Sequence, residues 1–185
     1  MQLQAVPRDF RQGFEGRLAA LTRADRLISA QHSLGASLSR LLEQELACDP
    51  SRYTLEGPDV TLRHDCAFAL SLVFHELAMN ANLHGALSVA AGHVDICWHL
   101  EEGPELVLTW LETGGPPARR PSSPGFGSLL ITYAAVKLKG SADLQYRQSG
   151  LRCDLRVSLL ARWPRRYAAL LLGPSAAREA SPRTV

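Results

Sequence analysis

Closely spaced cysteines are missing from this chain. Cys48, Cys66, Cys97 and Cys153 are the only four, and even the nearest two stand far apart. No CxxC pair exists, which excludes a zinc ribbon and a thioredoxin-like redox motif. Such scattered thiols are expected to be reduced and structural, as in a cytosolic protein. His32, His64, His75, His84, His93 and His99 form neither HxH nor HExxH, so no catalytic zinc site is expected. No run of 18 apolar residues occurs, and the start, MQLQAVPRDF, lacks the apolar stretch of a secretory signal. A cytoplasmic chain with no membrane span is the expectation. Lysine is scarce too: Lys137 and Lys139 stand against 18 arginines. With a net charge of only +2, that bias reads as base composition and not as a nucleic-acid surface.

What remains is an ordinary globular mixture, 46% apolar and 21% charged over 185 residues. That is enough for one domain of roughly 100–200 residues with some chain to spare. Residues 7–46 read as two amphipathic helices. Phe10, Phe14, Leu18, Leu21 and Ile28 line the first, and Leu38, Leu41, Leu42, Glu45 and Leu46 the second, with a break at Ser33-Leu34-Gly35. Tyr53–Leu55 and Val60–Leu62 flank Gly57-Pro58 and predict a short strand pair. Asp65 to about His84 predicts the strongest helix, with Asp65 as its cap, Leu70, Val73, Phe74, Leu77 and Ala81 inward, and Gly85 as its stop. Two alternating strands follow, Val94–Trp98 and Leu106–Trp110, turning through Glu101 to Glu105. Residues 113–127, TGGPPARRPSSPGFG, form a loop of a length usually tied to function. A helix from Ser128 to Leu138 and strands Ala142–Arg147 and Leu151–Leu159 close the domain. The Arg-, Pro- and Ala-rich tail predicts at most a short helix near 165–172 and disorder beyond Gly173.

Two regions could carry chemistry. In F-H-E-L-A-M-N-A-N-L-H-G, Glu76 and Asn80 are four apart and share one helix face. Both offer hard oxygens suited to Mg²⁺; a plain solvent-facing polar stripe is the alternative. In W-L-E-T-G-G-P-P, Glu112 ends a strand and could accept a hydrogen bond from an exocyclic amine. Gly114 and Gly115 leave room for a flat base. Gly125, Phe126, Gly127 and Ser128 precede a helix, whose start presents free N–H groups to an anion. Neither a P-loop nor a GxGxxG turn is present.

The order of these motifs resembles the Bergerat-type (GHKL) ATP-binding domain, and in detail the HWE sensor histidine kinases. His75 matches the family's signature histidine, Trp110 and Glu112 its Trp-x-Glu, and Gly125–Ser128 its second glycine box. F-E-G-R-L (14–18) is similar to the stretch that precedes the ATP domain. The resemblance implies an α+β fold, a two-layer α/β sandwich with a mixed sheet and helices on one face. It implies ATP and Mg²⁺, with Asn80 as metal ligand and Glu76 as the acid that orients the attacking group. Glu112 is implied as the adenine acceptor, Gly114 and Gly115 as shaping the base pocket, and Gly125, Phe126, Gly127 and Ser128 as the phosphate end. His84 stands where an aromatic wall is usual, Leu83 where a phosphate-facing Lys is usual, and Met79 where Thr is usual. His75 and Trp110 read either as packing or as chemistry.

The implied organisation is residues 1–47 as the second half of a dimerisation hairpin, 48–160 as the ATP-binding domain and 161–185 as tail. No histidine in an H-R-x-x-N setting precedes Phe10, so the phosphoacceptor is expected on another chain or segment. Implied partners are a response regulator or acceptor-histidine protein, and a second copy through the N-terminal helices; no membrane and no nucleic acid are expected. A non-catalytic adaptor with a degenerate ATP site is the alternative function.

Overall fold

A computed structural model describes the backbone of residues 8–30, 35–123 and 125–161, and the side chains of 15–29, 35–123 and 125–161. The predicted tail helix, His32, Ser33-Leu34 and the side chains of Phe10 and Phe14 lie outside these residues.

The element order is α1 (Arg8–Ala30), β1 (Ala36–Ser37), α2 (Leu38–Leu46), β2 (Tyr53–Glu56), β3 (Thr61–Leu62), α3 (His64–Leu83), β4 (His93–Glu101), β5 (Glu105–Thr113), α4 (Phe126–Lys137), β6 (Ser141–Arg147) and β7 (Gly150–Ser158). Five strands form one mixed sheet in the order β2-β4-β5-β7-β6. β2 runs parallel to β4, and the other neighbours are antiparallel. The fold class is the expected one: a mixed α/β arrangement with helices packed on the sheet.

Strict alternation drives the sheet. Every second residue of β5 is buried: Leu106, Leu108, Trp110 and Glu112. Leu151, Cys153, Leu155 and Val157 do the same on β7. The apolar residues of these faces share one core with α3, which is buried nearly all round: Ala67, Ala69, Leu70, Val73, Phe74, Leu77 and Ala78 all belong to it. By length and hydropathy α3 could cross a membrane, but 67% of its most apolar 18-residue stretch is buried inside the fold, as a core helix should be. Burial also pushes the thiols of Cys66 and Cys153 up, to about 11 and about 12, so both stay protonated at neutral pH.

Several expectations need correction. Tyr53–Glu56 and Thr61–Leu62 do not pair with each other: β2 joins β4, and β3 joins β1. Gly57-Pro58 is shaped by Trp98 instead, whose indole N–H donates to the Pro58 carbonyl at 2.9 Å. Asp65 sits inside the first turn of α3, and Arg63 holds the cap position. The fourth helix starts at Phe126, which places Phe126 and Gly127 inside it. The buried stripe of α1 is Ala20, Leu21, Ala24 and Leu27, with Leu18 45% exposed. The stripe of α2 is as expected: Leu38, Leu41, Leu42, Glu45 and Leu46 are all buried.

Candidate functional site

The C-terminal end of α3, the exit of β5, the loop after it and the start of α4 surround a cavity of about 340 Å³. That volume suits a small ligand. Asn80, His84 and Gly85 come from the end of α3. Glu112 comes from β5, Pro117, Ala118, Arg119 and Pro121 from the loop, and Gly125, Gly127 and Ser128 from the α4 start. Leu144, Tyr146 and Leu151 add an apolar wall from β6 and β7.

Glu112 is the most constrained group in the cavity, at 1% exposure. One carboxylate oxygen accepts from the Ala86 backbone N–H at 2.9 Å, the other from the Trp110 indole N–H at 3.2 Å. Burial raises its pKa, and those two hydrogen bonds pull the other way. Gly85 makes room for it. A Cβ there would collide with the Glu112 carboxylate, so the glycine serves close approach and not a left-handed stop; His84 holds the cap position of α3.

Ala86 is held in turn by Arg52. Its guanidinium donates to the carbonyls of Ala86, Leu87 and Gly92 at 3.4, 3.3 and 3.2 Å, and to that of Val89. With the carbonyls of this loop pinned outward, the Ala86 N–H is left for Glu112. Gly114 and Gly115 do not line the cavity; a Cβ on them would meet the backbone of Ala91 and of Ala86 respectively.

At the far end α4 opens at Gly125. Among the described residues no side chain caps its first-turn N–H groups, which carry the positive end of the helix dipole. Asn80, half-buried, faces the same cavity.

Glu76 and Phe126 do not line it. Glu76 is 6% exposed and accepts from Arg17 Nε at 2.6 Å. The Arg17 guanidinium also lies 4.2 Å over the Phe126 ring. One arginine of α1 thus touches both the α3 acid and the start of α4. The neighbouring Gly16 is fitted to His75, since a Cβ would lie 2.6 Å from its Nε2. His75 Nδ1 in turn meets Glu45 at 3.1 Å, and Glu45 also pairs with Arg23. His75 is a tie between α2 and α3, outside the cavity.

Sequence reasoning missed Arg17, Arg52, Gly85 and the Ala86 N–H. It also missed Arg119 and the wall of Leu144, Tyr146 and Leu151. The Gly16-Arg17 pair was visible as part of F-E-G-R-L, but nothing local marked its long-range partners.

Comparison with known proteins gives this geometry a family. A family model described as HWE histidine kinase matches residues 1–59. A blue-light-activated histidine kinase of Rhizobium johnstonii is 32% identical over 154 residues, covering 82% of this chain and 45% of that protein. The chain belongs to the HWE histidine kinases. A blue-light-activated histidine kinase of Brucella ovis is 33% identical over 150 residues, 77% of this chain and 31% of the relative. The chain therefore spans less than half the length of these curated relatives.

Solved histidine kinase structures share the fold. The histidine kinase domain of the Erythrobacter litoralis EL346 blue-light activated histidine kinase superposes with a TM-score of 0.63 at 16% identity, over 80% of this chain and 75% of that one. The mycobacterial sensor histidine kinase MprB superposes with 0.53 at 14% identity, over 70% and 97%. Among the described residues no cluster of three or more His, Cys, Asp or Glu could hold a metal ion by itself.

Proposed function

We propose that this HWE chain is the nucleotide-binding catalytic part of a two-component kinase. It binds Mg²⁺-ATP and passes the γ-phosphoryl group to a histidine on an acceptor-bearing helix, from which a response regulator is charged. The observation that carries this reading is the polarity of the cavity. A buried acceptor, Glu112, stands at one end and an uncapped helix start at the other.

An adenine amine suits Glu112, and Leu144, Tyr146, Leu151 and His84 offer the base its walls. Phosphates suit the N–H groups of Gly127 and Ser128. Arg119 brings positive charge into the cavity from the loop, offsetting the Lys that is replaced by Leu83. Asn80 would hold Mg²⁺ together with phosphate oxygens and water, because Mg²⁺ characteristically arrives with its phosphates. Mg²⁺ supplies charge neutralisation on the transferring group. The chain supplies position: Glu112 fixes the base, the α4 start fixes the phosphates, and Glu76, once free of Arg17, orients the acceptor imidazole.

Titration calorimetry tests this directly. Mg²⁺-ATP should bind the full chain and fail to bind Glu112→Ala. Radiolabelled phosphate should then move from ATP to a supplied acceptor hairpin. Binding without transfer to any acceptor would favour the adaptor role. Gly85→Ala makes a sharper check. Its methyl must displace the Glu112 carboxylate from the Ala86 N–H, so ATP affinity is expected to fall at least tenfold, while circular dichroism still reports a folded chain.

A further inference from the structure

We infer that Trp110 is a specificity-determining residue for the nucleobase, acting through Glu112 by holding its carboxylate as an acceptor. The inference rests on the nucleotide reading above. Trp110 and Glu112 are alternate residues on β5, so both point to the buried face of the sheet. Trp110 is fully buried, and its indole N–H reaches a Glu112 oxygen at 3.2 Å. The Ala86 N–H reaches the other oxygen at 2.9 Å.

An indole N–H and a backbone N–H are donors only. Neither can receive a hydrogen bond from a protonated carboxyl, so both favour the ionised form and fix its plane. The carboxylate keeps lone pairs for one further direction, the cavity, and there it can only accept. A base with an exocyclic amine at that point, such as adenine, is bound. A base with a carbonyl there, such as guanine, sets oxygen against a buried anion. A protonated Glu112 would lose this discrimination, because a carboxyl O–H can donate to that carbonyl.

Burial favours the protonated form. The groups that share the cavity with Glu112 are His84 from the end of α3, Arg119 from the loop and Tyr146 from β6. Among the described residues none of the three hydrogen-bonds to the carboxylate, whose donors are the N–H groups of Trp110 and Ala86. Of these two, only the Trp110 donor is a side chain that substitution can remove.

The experiment is ATP and GTP binding in Mg²⁺ from pH 5.5 to 8.5. It uses the full chain as wild type, Trp110→Phe, Glu112→Gln and the double variant. Wild type should favour ATP, and its ATP affinity should fall only as acid protonates Glu112. In W110F the ATP-over-GTP ratio should drop about tenfold, the scale of one hydrogen bond to a charged group. The acid-side loss of ATP affinity should begin at higher pH.

In the E112Q background W110F should change the ratio no further. Where W110F disturbs packing, benzothienylalanine at position 110 keeps the shape of tryptophan, replaces only the N–H with sulfur, and should give the same drop. A wild-type ratio and pH profile in these variants would overturn the inference, as would an equal drop on the E112Q background. A wild-type chain that binds neither nucleotide would overturn the nucleotide reading and this inference together.

Discussion

Replacing Asn80 with Ala is expected to cut phosphoryl transfer to a supplied acceptor by roughly 100-fold or more, the scale seen when one preorganised group facing transition-state charge is removed. Asn80 reaches the cavity from the last full turn of α3, between the buried Glu112 and the uncapped start of α4. On the proposed reading its amide oxygen, a hard ligand, holds the cation that comes with phosphate. The effect should be specific to the metal. Mg²⁺ should raise ATP affinity in wild type and leave it unchanged in the variant, and Asn80→Asp, which keeps an oxygen, should recover part of both losses. A variant that still responds fully to Mg²⁺ would remove Asn80 from this role.

Arg17→Ala should destabilise the chain by about 3 kcal/mol, or roughly 6 to 12 °C in Tm for a chain of this size. The side chains of Arg17 and Glu76 are 13% and 8% exposed, so removing the cation strands a carboxylate away from water. The loss should shrink in the Arg17→Ala, Glu76→Gln double variant, where no charge is left unpaired. Denaturant unfolding of the four chains closes the cycle. A loss near the 0.2–1 kcal/mol typical of an exposed pair would show that the contact is superficial. The same substitution frees Phe126, so the start of α4 should gain hydrogen-exchange rate in parallel.

Much of this was legible in the sequence wherever the signal is local. The alternation in β4, β5 and β7 comes from side chains pointing to opposite faces every residue, and α2 announced its buried stripe to the residue. Glu112, Asn80, His84, Gly125, Gly127 and Ser128 do come together around one cavity. What stayed hidden depends on partners distant in the chain. Tyr53–Glu56 and Thr61–Leu62 look like a hairpin because a Gly-Pro lies between them, yet each finds a better edge elsewhere. Gly85 looks like a helix stop because glycine so often is one, and only the folded chain shows Glu112 behind it. Arg17 looks like one more arginine on a polar face, and nothing within a few residues says that its partner is Glu76.

The parallel pairing of β2 with β4 sets an order of events during synthesis. Tyr53 must wait for Val94, with all of α3 made in between. The β4–β5 hairpin closes through a three-residue turn from Glu102 to Pro104 and needs nothing upstream. Folding should thus begin in the middle of the chain, with β2 and the helices before it settling onto a sheet already begun. Until β4 emerges from the ribosome, β2 has a bare edge and no template, and that interval is when a chaperone or a neighbouring nascent chain would meet it.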